Sequence, residues 1–333
     1  MATLRLRLTL AAAAVLLVSC ATAPRDRPIP EAPPDPASAP AFRVEVDGIP
    51  IHAFDQGPED ADILVLGVHG WGASGAEGLA FGRALGREAV SAEAADSRAP
   101  TVRLVSPDLP GSGASGKPEA PYTPEWFVAI LDGLREALGR DRVVLAGHSL
   151  GGRLALEYTL AHPERVEALI LLAPAGLSDS FYPLDRWALG RDSIIRAGTR
   201  LTTERLYMRF YRKRVVRDPR YAYPDVAAWA VAGLLTPDGR SALREVTRHA
   251  LAAPDLTDRL DEIEVPVLLV WGKDDEVLRF ESSAAYRELL PDLRGFLALE
   301  DCGHHPQTER SARTARAAYE FLAGLRAAGT SQP

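Results

Sequence analysis

The stretch that most constrains this chain runs from residue 143 to residue 161. Val143-Val144-Leu145-Ala146 is an apolar run that reads as a buried strand. Gly147-His148-Ser149-Leu150-Gly151 follows and fits the pattern Gly-x-Ser-x-Gly. Gly152 and a helix-forming run, Arg153 to Ala161, come next. A strand that enters a helix through so short a turn forces strained backbone on the middle residue. Glycines on either side let strand and helix approach it closely. Ser149 is therefore expected to project its hydroxyl above a sheet edge. The Leu150 N–H, at the helix start, faces the same space and can bind an anion.

The remaining chain supplies a frame for that turn. Phe42 to Val46 and Ile51 to Phe54 alternate apolar and polar around Asp47-Gly48, which predicts a hairpin. Ile63 to Val68 reads as a buried strand ending in His69-Gly70-Trp71-Gly72-Ala73-Ser74-Gly75, whose small residues let backbone N–H groups face a site. A helix is expected over 78–90, then a polar loop to Pro100. Val102 to Val105 is a strand ending in the long turn Asp108 to Gly116. Pro124 to Leu138 is a helix with proline near its start. After the serine turn, Val166 to Leu172 is again a strand. Residues 177 to about 260 lack the alternation and read as an inserted, mainly helical cap. A strand resumes at Val265 to Val270 and ends in Trp271-Gly272-Lys273-Asp274-Asp275. Ser282 to Leu290 is a helix and Gly295 to Leu299 the last strand. Then come Glu300 to His305 and an amphipathic helix over 308–325. Strands alternating with helices predict an α/β fold with a mostly parallel sheet, whose ligands bind at the carboxyl ends of strands. The turns holding Ser149, His69, Asp275 and His304 all fall at such ends.

With serine, acid and histidine in that order, the chain resembles the α/β-hydrolase superfamily from about residue 42 to 327. His69 to Gly72 matches the subgroup pattern His-Gly-x-Gly, and Asp108 to Gly113 matches Asp-x-x-Gly-x-Gly. Trp271 to Asp275 matches Trp-Gly-x-x-Asp, and Gly303-His304 matches Gly-His. The resemblance implies an α/β-hydrolase fold: a mostly parallel eight-stranded sheet, helices on both faces and an inserted helical cap. It implies an enzyme in which Ser149 is the nucleophile, His304 its general base and acid, and Asp275 the carboxylate that orients the imidazole. The backbone N–H groups of Leu150 and Trp71 would form the oxyanion hole. Asp274 and His305 are the adjacent competitors for the acid and base.

The implied activity is that of a carboxylesterase or lipase-like serine hydrolase acting on a small-molecule acyl substrate through an acyl-enzyme, with no cofactor. Alternatives on the same triad are acyl transfer, carbon–carbon bond hydrolysis and peroxidation. A ligand-binding homologue without turnover is a further alternative. Epoxide hydrolases and haloalkane dehalogenases of this fold carry Asp where Ser149 stands. Carbon–carbon hydrolases and perhydrolases often have Met where Leu150 stands. His69 is expected to bond backbone in its turn and His148 to be packed. His52, His162 and His249 read as structural or exposed, and Cys302 as a small buried hydrophobe. No metal constellation is evident. Gly111 and Gly113 lack the context of a dinucleotide fingerprint.

A chain of 333 residues suits one α/β domain carrying an insertion, and 47% hydrophobic residues support a sizeable core. A net charge of −7 gives no reason to expect nucleic acid as a partner. Two cysteines, Cys20 and Cys302, are too few for a disulfide framework or a zinc site. Arg5 and Arg7 precede the apolar run Leu8 to Val18, which is shorter than the roughly twenty residues a membrane span needs. It reads as a secretory signal. Leu17-Val18-Ser19-Cys20 resembles the bacterial lipobox. That resemblance implies a signal peptide over 1–19, a lipidated Cys20, and a Pro/Ala-rich tether over 20–41. Ala21 after the cysteine implies the outer membrane of a bacterial envelope, with the protein facing the periplasm. The expected domains are then a core part over 42–176, a cap over 177–260 and a second core part over 261–327. Residues 186–220 carry eleven basic side chains against three acidic ones, with Tyr207, Met208, Phe210 and Tyr211 interleaved. This face is expected to be a solvated cap surface, a contact for anionic lipid head groups, or a site for an anionic group on the substrate.

Overall fold

The computed structural model describes residues 32–329. The signal segment and Cys20 lie outside the described residues. Eight strands form one sheet: β1 (Ala41–Val46), β2 (Ile49–Gln56), β3 (Ile63–Val68), β4 (Val102–Pro107), β5 (Val143–His148), β6 (Val166–Leu172), β7 (Val267–Gly272) and β8 (Leu293–Leu299). Their order across the sheet is β1-β2-β4-β3-β5-β6-β7-β8. β1 and β2 form the expected hairpin, with Asp47 and Gly48 both at positive φ, as a tight hairpin turn requires. β2 pairs antiparallel with β4, and every pair from β4 to β8 is parallel. The mostly parallel sheet expected from the alternation is present, with the eight strands that the resemblance implied.

Eleven α-helices accompany it among the described residues. They are α1 (Leu79–Ala95), α2 (Pro124–Ala137), α3 (Leu150–Ala161), α4 (Pro183–Leu189), α5 (Asp192–Leu201), α6 (Glu204–Phe210), α7 (Pro224–Leu234), α8 (Pro237–Val246), α9 (Ser283–Leu289), α10 (Pro306–Glu309) and α11 (Ser311–Gly329). The strand period of two sorts the core onto two faces. On β5, Val143 and Leu145 pack with Phe127 and Leu131 of α2 and Leu154 of α3. Val144 and Ala146 point the other way, to Phe81 and Leu85 of α1 and Ala315 and Leu322 of α11. A strand covered on both sides needs apolar residues at every position, which explains why β5 reads as one unbroken apolar run.

Several boundaries shift by one or two residues from the sequence reading, and two helices differ more. α1 continues through Ala95, into what reads as a polar loop. Ala92, Glu93, Ala94 and Ala95 are all good helix formers, and nothing stops the helix before Asp96. There the backbone turns extended, and the Asp96 carboxylate accepts the Arg98 N–H at 3.0 Å. The C-terminal helix begins at Ser311 and is preceded by the separate turn α10, the two being broken at Arg310.

Between β6 and β7 the chain is helical. α4, α7 and α8 each start on a proline, the residue best tolerated in a first helical turn. Single π-helical turns at Tyr211–Val215 and Thr247–Leu251 extend α6 and α8. This segment crosses the carboxyl ends of the strands. Trp229 Nε1 of α7 donates to Asp108 Oδ2 at 3.0 Å, and Trp71 Nε1 donates to Thr247 Oγ1 at 2.7 Å. No helix among the described residues is long and apolar enough to cross a membrane.

Candidate active site

Ser149 stands between β5 and α3 with φ of 53° and ψ of −118°. A non-glycine residue rarely adopts such a backbone, and its neighbours hold it there. Ser149 N–H donates to Leu172 O of β6 at 3.0 Å, and Ser149 O accepts from Ala175 N at 2.8 Å and Gly152 N at 2.9 Å. The flanking glycines are required by space. A Cβ on Gly151 would lie 2.0 Å from Val68 O, and one on Gly147 would lie 2.5 Å from Gly151 O. The elbow can form only where strand and helix backbones touch.

The acid and the imidazole meet across the ends of β7 and β8. His304 Nδ1–H donates to Asp275 Oδ2 at 2.7 Å, with both side chains buried. Asp275 Oδ2 also accepts from Trp271 Nε1 at 3.0 Å, and its Oδ1 accepts from the Val277 and Leu278 N–H groups at 2.8 Å each. Four donors fix the carboxylate, and the carboxylate fixes the histidine tautomer with Nε2 unprotonated. The His304 ring lies 4.7 Å from the ring of His148, the residue before Ser149. No hydrogen bond joins Ser149 Oγ to the imidazole in this structure. Such bonds are often open in free hydrolases and tighten around substrate.

Both competitors lie elsewhere. Asp274 is exposed and faces Arg217 at 3.8 Å. His305 is buried on the far side of His148, where its Nδ1 shares a 2.9 Å hydrogen bond with the Tyr211 hydroxyl. His69 bonds backbone as expected: Nδ1–H donates to Gly70 O at 2.8 Å, and Nε2 accepts from Leu109 N at 3.0 Å. Cys302 is fully buried.

The Trp71 and Leu150 N–H groups carry no hydrogen bond among the described residues. Both residues line one cleft, whose other walls include Leu109, Phe127, Leu234, Leu243 and Val246. Among the described residues no Asp, Glu, Lys or Arg side chain lines it. The last three of those walls belong to α7 and α8, so the helical segment between β6 and β7 closes the cleft. The turn Asp108 to Gly113 braces this arrangement. Buried Asp108 accepts from Gly75 N and Ala114 N at 2.8 Å each, and His52 Nδ1 lies 3.1 Å from its Oδ2.

The sequence reading missed two buried acids, and it gave His148 as packed, which its burial bears out, without its hydrogen bonds. His148 is not merely packed. Its Nδ1 lies 3.0 Å from Glu77 Oε1 and its Nε2 2.8 Å from His304 O. Both partners are hydrogen-bond acceptors, and both ring nitrogens of His148 face one. Glu77 Oε1 also accepts the Gly70 N–H at 2.9 Å. One buried pair of hydrogen-bonded side chains therefore ties together the turn preceding Trp71, the residue before Ser149 and the backbone of His304. Burial, the largest single influence, raises the Glu77 carboxyl, but the electrostatic attraction and hydrogen bond of His148 together with His305 and His69 outweigh it and bring the group down to about 2. With His305, these two residues gather three potential metal ligands whose donor atoms lie within 4.8 Å of one another. In this structure Glu77 and His148 are hydrogen-bonded to each other, while His305 bonds the Tyr211 hydroxyl and its Nε2 lies 3.6 Å from Glu77 Oε2. The second missed acid, Glu309, accepts from Gly303 N at 2.9 Å and from Arg217 N and Asp218 N at 2.7 and 3.3 Å. It clasps the His304 loop to the segment after α6. His304 N–H adds a 2.8 Å bond to Val215 O there.

Comparison with known proteins agrees with this geometry. The description "Alpha/beta hydrolase family" belongs to the family profile that matches residues 64–317, most of the chain. The chain belongs to this family. Among relatives of this α/β hydrolase is a 2-hydroxy-6-oxo-6-(2'-aminophenyl)hexa-2,4-dienoic acid hydrolase of Metapseudomonas resinovorans. It is 26% identical over 225 residues, covering 66% of this chain and 73% of that enzyme. A solved membrane phospholipase A, described as a bacterial virulence factor, is 28% identical with a TM-score of 0.63 over 87% of each chain. A thermophilic esterase from Thermogutta terrifontis is 22% identical with a TM-score of 0.65, over 86% of this chain and 99% of that one. At that identity the esterase speaks to the fold alone. This α/β hydrolase is a hydrolytic enzyme by family.

Proposed function

We propose that this α/β hydrolase is a serine hydrolase of carboxylic esters that seats the acyl chain in the apolar cleft. The observation that carries this reading is the cleft itself, free of Asp, Glu, Lys and Arg and largely apolar, with two unspent backbone N–H groups at Trp71 and Leu150, the latter next to Ser149. Ser149 Oγ attacks the ester carbonyl while His304 Nε2 takes its proton. The carbonyl oxygen gains charge where the two N–H groups meet it. His304 then passes the proton to the departing alcohol, leaving an acyl-enzyme. Water, deprotonated by the same nitrogen, releases the acid and restores Ser149. Asp275 stays ionised and stabilises the imidazolium formed in each half.

Burial holds His304 below its ordinary value near 6.5, against the opposing pull of Asp275. Only neutral His304 can accept the serine proton, so activity is lost as pH falls through its pKa. The rising limb of kcat/KM against pH is therefore expected to have its midpoint below 6.5. A midpoint above that value in a steady-state profile would contradict the assignment of His304 as base.

A second reading follows from the dienoic acid hydrolase relative, whose named substrate carries a carboxylate. A buried carboxylate needs a cationic partner, and the cleft offers no Lys or Arg. Parallel assays decide between them: a p-nitrophenyl acyl ester series of increasing chain length, and a 2-hydroxy-6-oxo-dienoate followed by loss of its colour. Ester turnover rising with chain length, with the dienoate untouched, is the expected result. Dienoate cleavage faster than every ester would overturn the ester reading.

The reading extends to location. Lipid on Cys20 holds the enzyme on a bacterial envelope membrane, most simply the periplasmic face of the outer membrane, and the membrane phospholipase relative supports such a setting. Cys20→Ser should move the protein from the membrane pellet to the soluble fraction of fractionated cells. An unchanged partition would rule out the lipid anchor.

A further inference from the structure

Six large hydrophobic side chains are exposed among the described residues, and four of them sit on three consecutive helices. Leu184 and Trp187 lie on α4, Leu201 ends α5, and Leu206 lies on α6, at 54, 40, 55 and 37% exposure. The same helices and the turn after them carry exposed Arg200, Arg205, Arg209 and Arg212, none of which has an acidic partner among the described residues. Arg191 lies 4.0 Å over the Trp187 ring. The inner side of α5, Ile195 and Thr199, is buried, and Arg240 of α8 donates to Thr199 O at 2.6 Å. α8 in turn supplies Leu243 and Val246 to the cleft. This outward face thus lies one helix away from the acyl site.

We propose that the outer face of α4, α5 and α6 docks on a bilayer surface containing anionic lipid. Two arguments select this occupant. An indole and three leucines among unpaired guanidinium groups match a surface that is apolar below and anionic above. The segment 186–220 is strongly basic within a chain of net charge −7, a local charge complementary to anionic lipid head groups. The face would bring the cleft to lipid esters under the proposed function. The docking itself does not depend on that chemistry.

The test uses the full chain carrying Cys20→Ser, so that an anchor does not mask the surface. Sedimentation with phosphatidylglycerol-containing vesicles and with pure phosphatidylcholine vesicles reads binding, and thermal melting checks the fold of each variant. Binding to the anionic vesicles at low salt and release at high salt are expected. The triple variant Arg200→Glu, Arg205→Glu, Arg209→Glu should weaken it by at least about 100-fold, at about 1 kcal/mol for each positive charge lost. Trp187→Ser should weaken it while leaving the melting temperature unchanged. Absence of binding at low salt overturns the proposal, as does binding that the triple variant leaves intact. Capture by an acidic protein or polyanion without vesicle binding also overturns it. None of these readouts requires turnover, so failure of the ester reading and failure of this surface are separate results.

Discussion

Ser149→Ala and His304→Ala should each reduce kcat on the best ester by roughly 10⁶, and the double variant should be no worse than either. The two side chains act as one unit. A serine without a base is a weak nucleophile, and a base without the serine has nothing to activate. Asp275→Asn should cost less, roughly 10⁴. The reason is visible in the donors around it. Asp275 Oδ2 holds His304 Nδ1–H at 2.7 Å, and an amide nitrogen in that place would meet the imidazole as a donor and reverse its tautomer. The Val277 and Leu278 N–H groups would keep Oδ1 in place while the new amide nitrogen faces the Trp271 Nε1–H as well as the imidazole. Single-turnover and steady-state rates for the four enzymes check this. Additive losses in the double variant would show that the two residues do not work on the same step.

Glu77→Ala should destabilise the protein by about 1–3 kcal/mol for each buried donor it leaves without an acceptor. His148 Nδ1 and the Gly70 N–H would both lose theirs. Glu77→Gln keeps an acceptor oxygen and should lose less. The effect has a pH signature. The Glu77 carboxyl is depressed in the fold, to about 2 from an ordinary 4.5. Its contribution to stability is therefore fully present above 4.5 and lost as pH falls from there toward 2. Denaturant unfolding of wild type and Glu77→Gln should show a constant difference near neutrality that closes in acid. A difference that persists unchanged at the acid end would mean that Glu77 does not act as a charged partner of His148.

These two predictions also mark what the sequence could and could not disclose. Ser149 was legible because its strain demands glycines at set positions, and the contacts at Gly147 and Gly151 are that demand in atomic form. Asp275 was legible through its distance from Trp271, and the indole–carboxylate hydrogen bond gives that spacing a physical reason. The parallel sheet was legible because strands buried on both faces leave no polar positions. Glu77 was not. It sits in a one-turn helix of small residues, Gly75–Gly78, and whether such a carboxylate meets water or His148 depends on where β5 lies. Its one signal is an isolated acid in the stretch Gly75 to Leu85, which is otherwise small, apolar or a lone Arg83. Glu309 was hidden for a similar reason. It starts what reads as an amphipathic helix, where an acid is ordinary, and only the fold turns it toward three backbone N–H groups. The walls of the cleft were equally out of reach, because α7 and α8 acquire their positions from contacts with Asp108 and Trp71 rather than from local pattern.

Everything proposed about chemistry rests on Ser149 being an activated nucleophile. Intact-mass spectrometry after exposure to a fluorophosphonate, followed by peptide mapping, measures this directly. The expected result is one adduct per chain on Ser149, absent in Ser149→Ala and strongly slowed in His304→Ala. No adduct with probes of any chain length, or an adduct on another residue while Ser149 stays unmodified, would contradict the account.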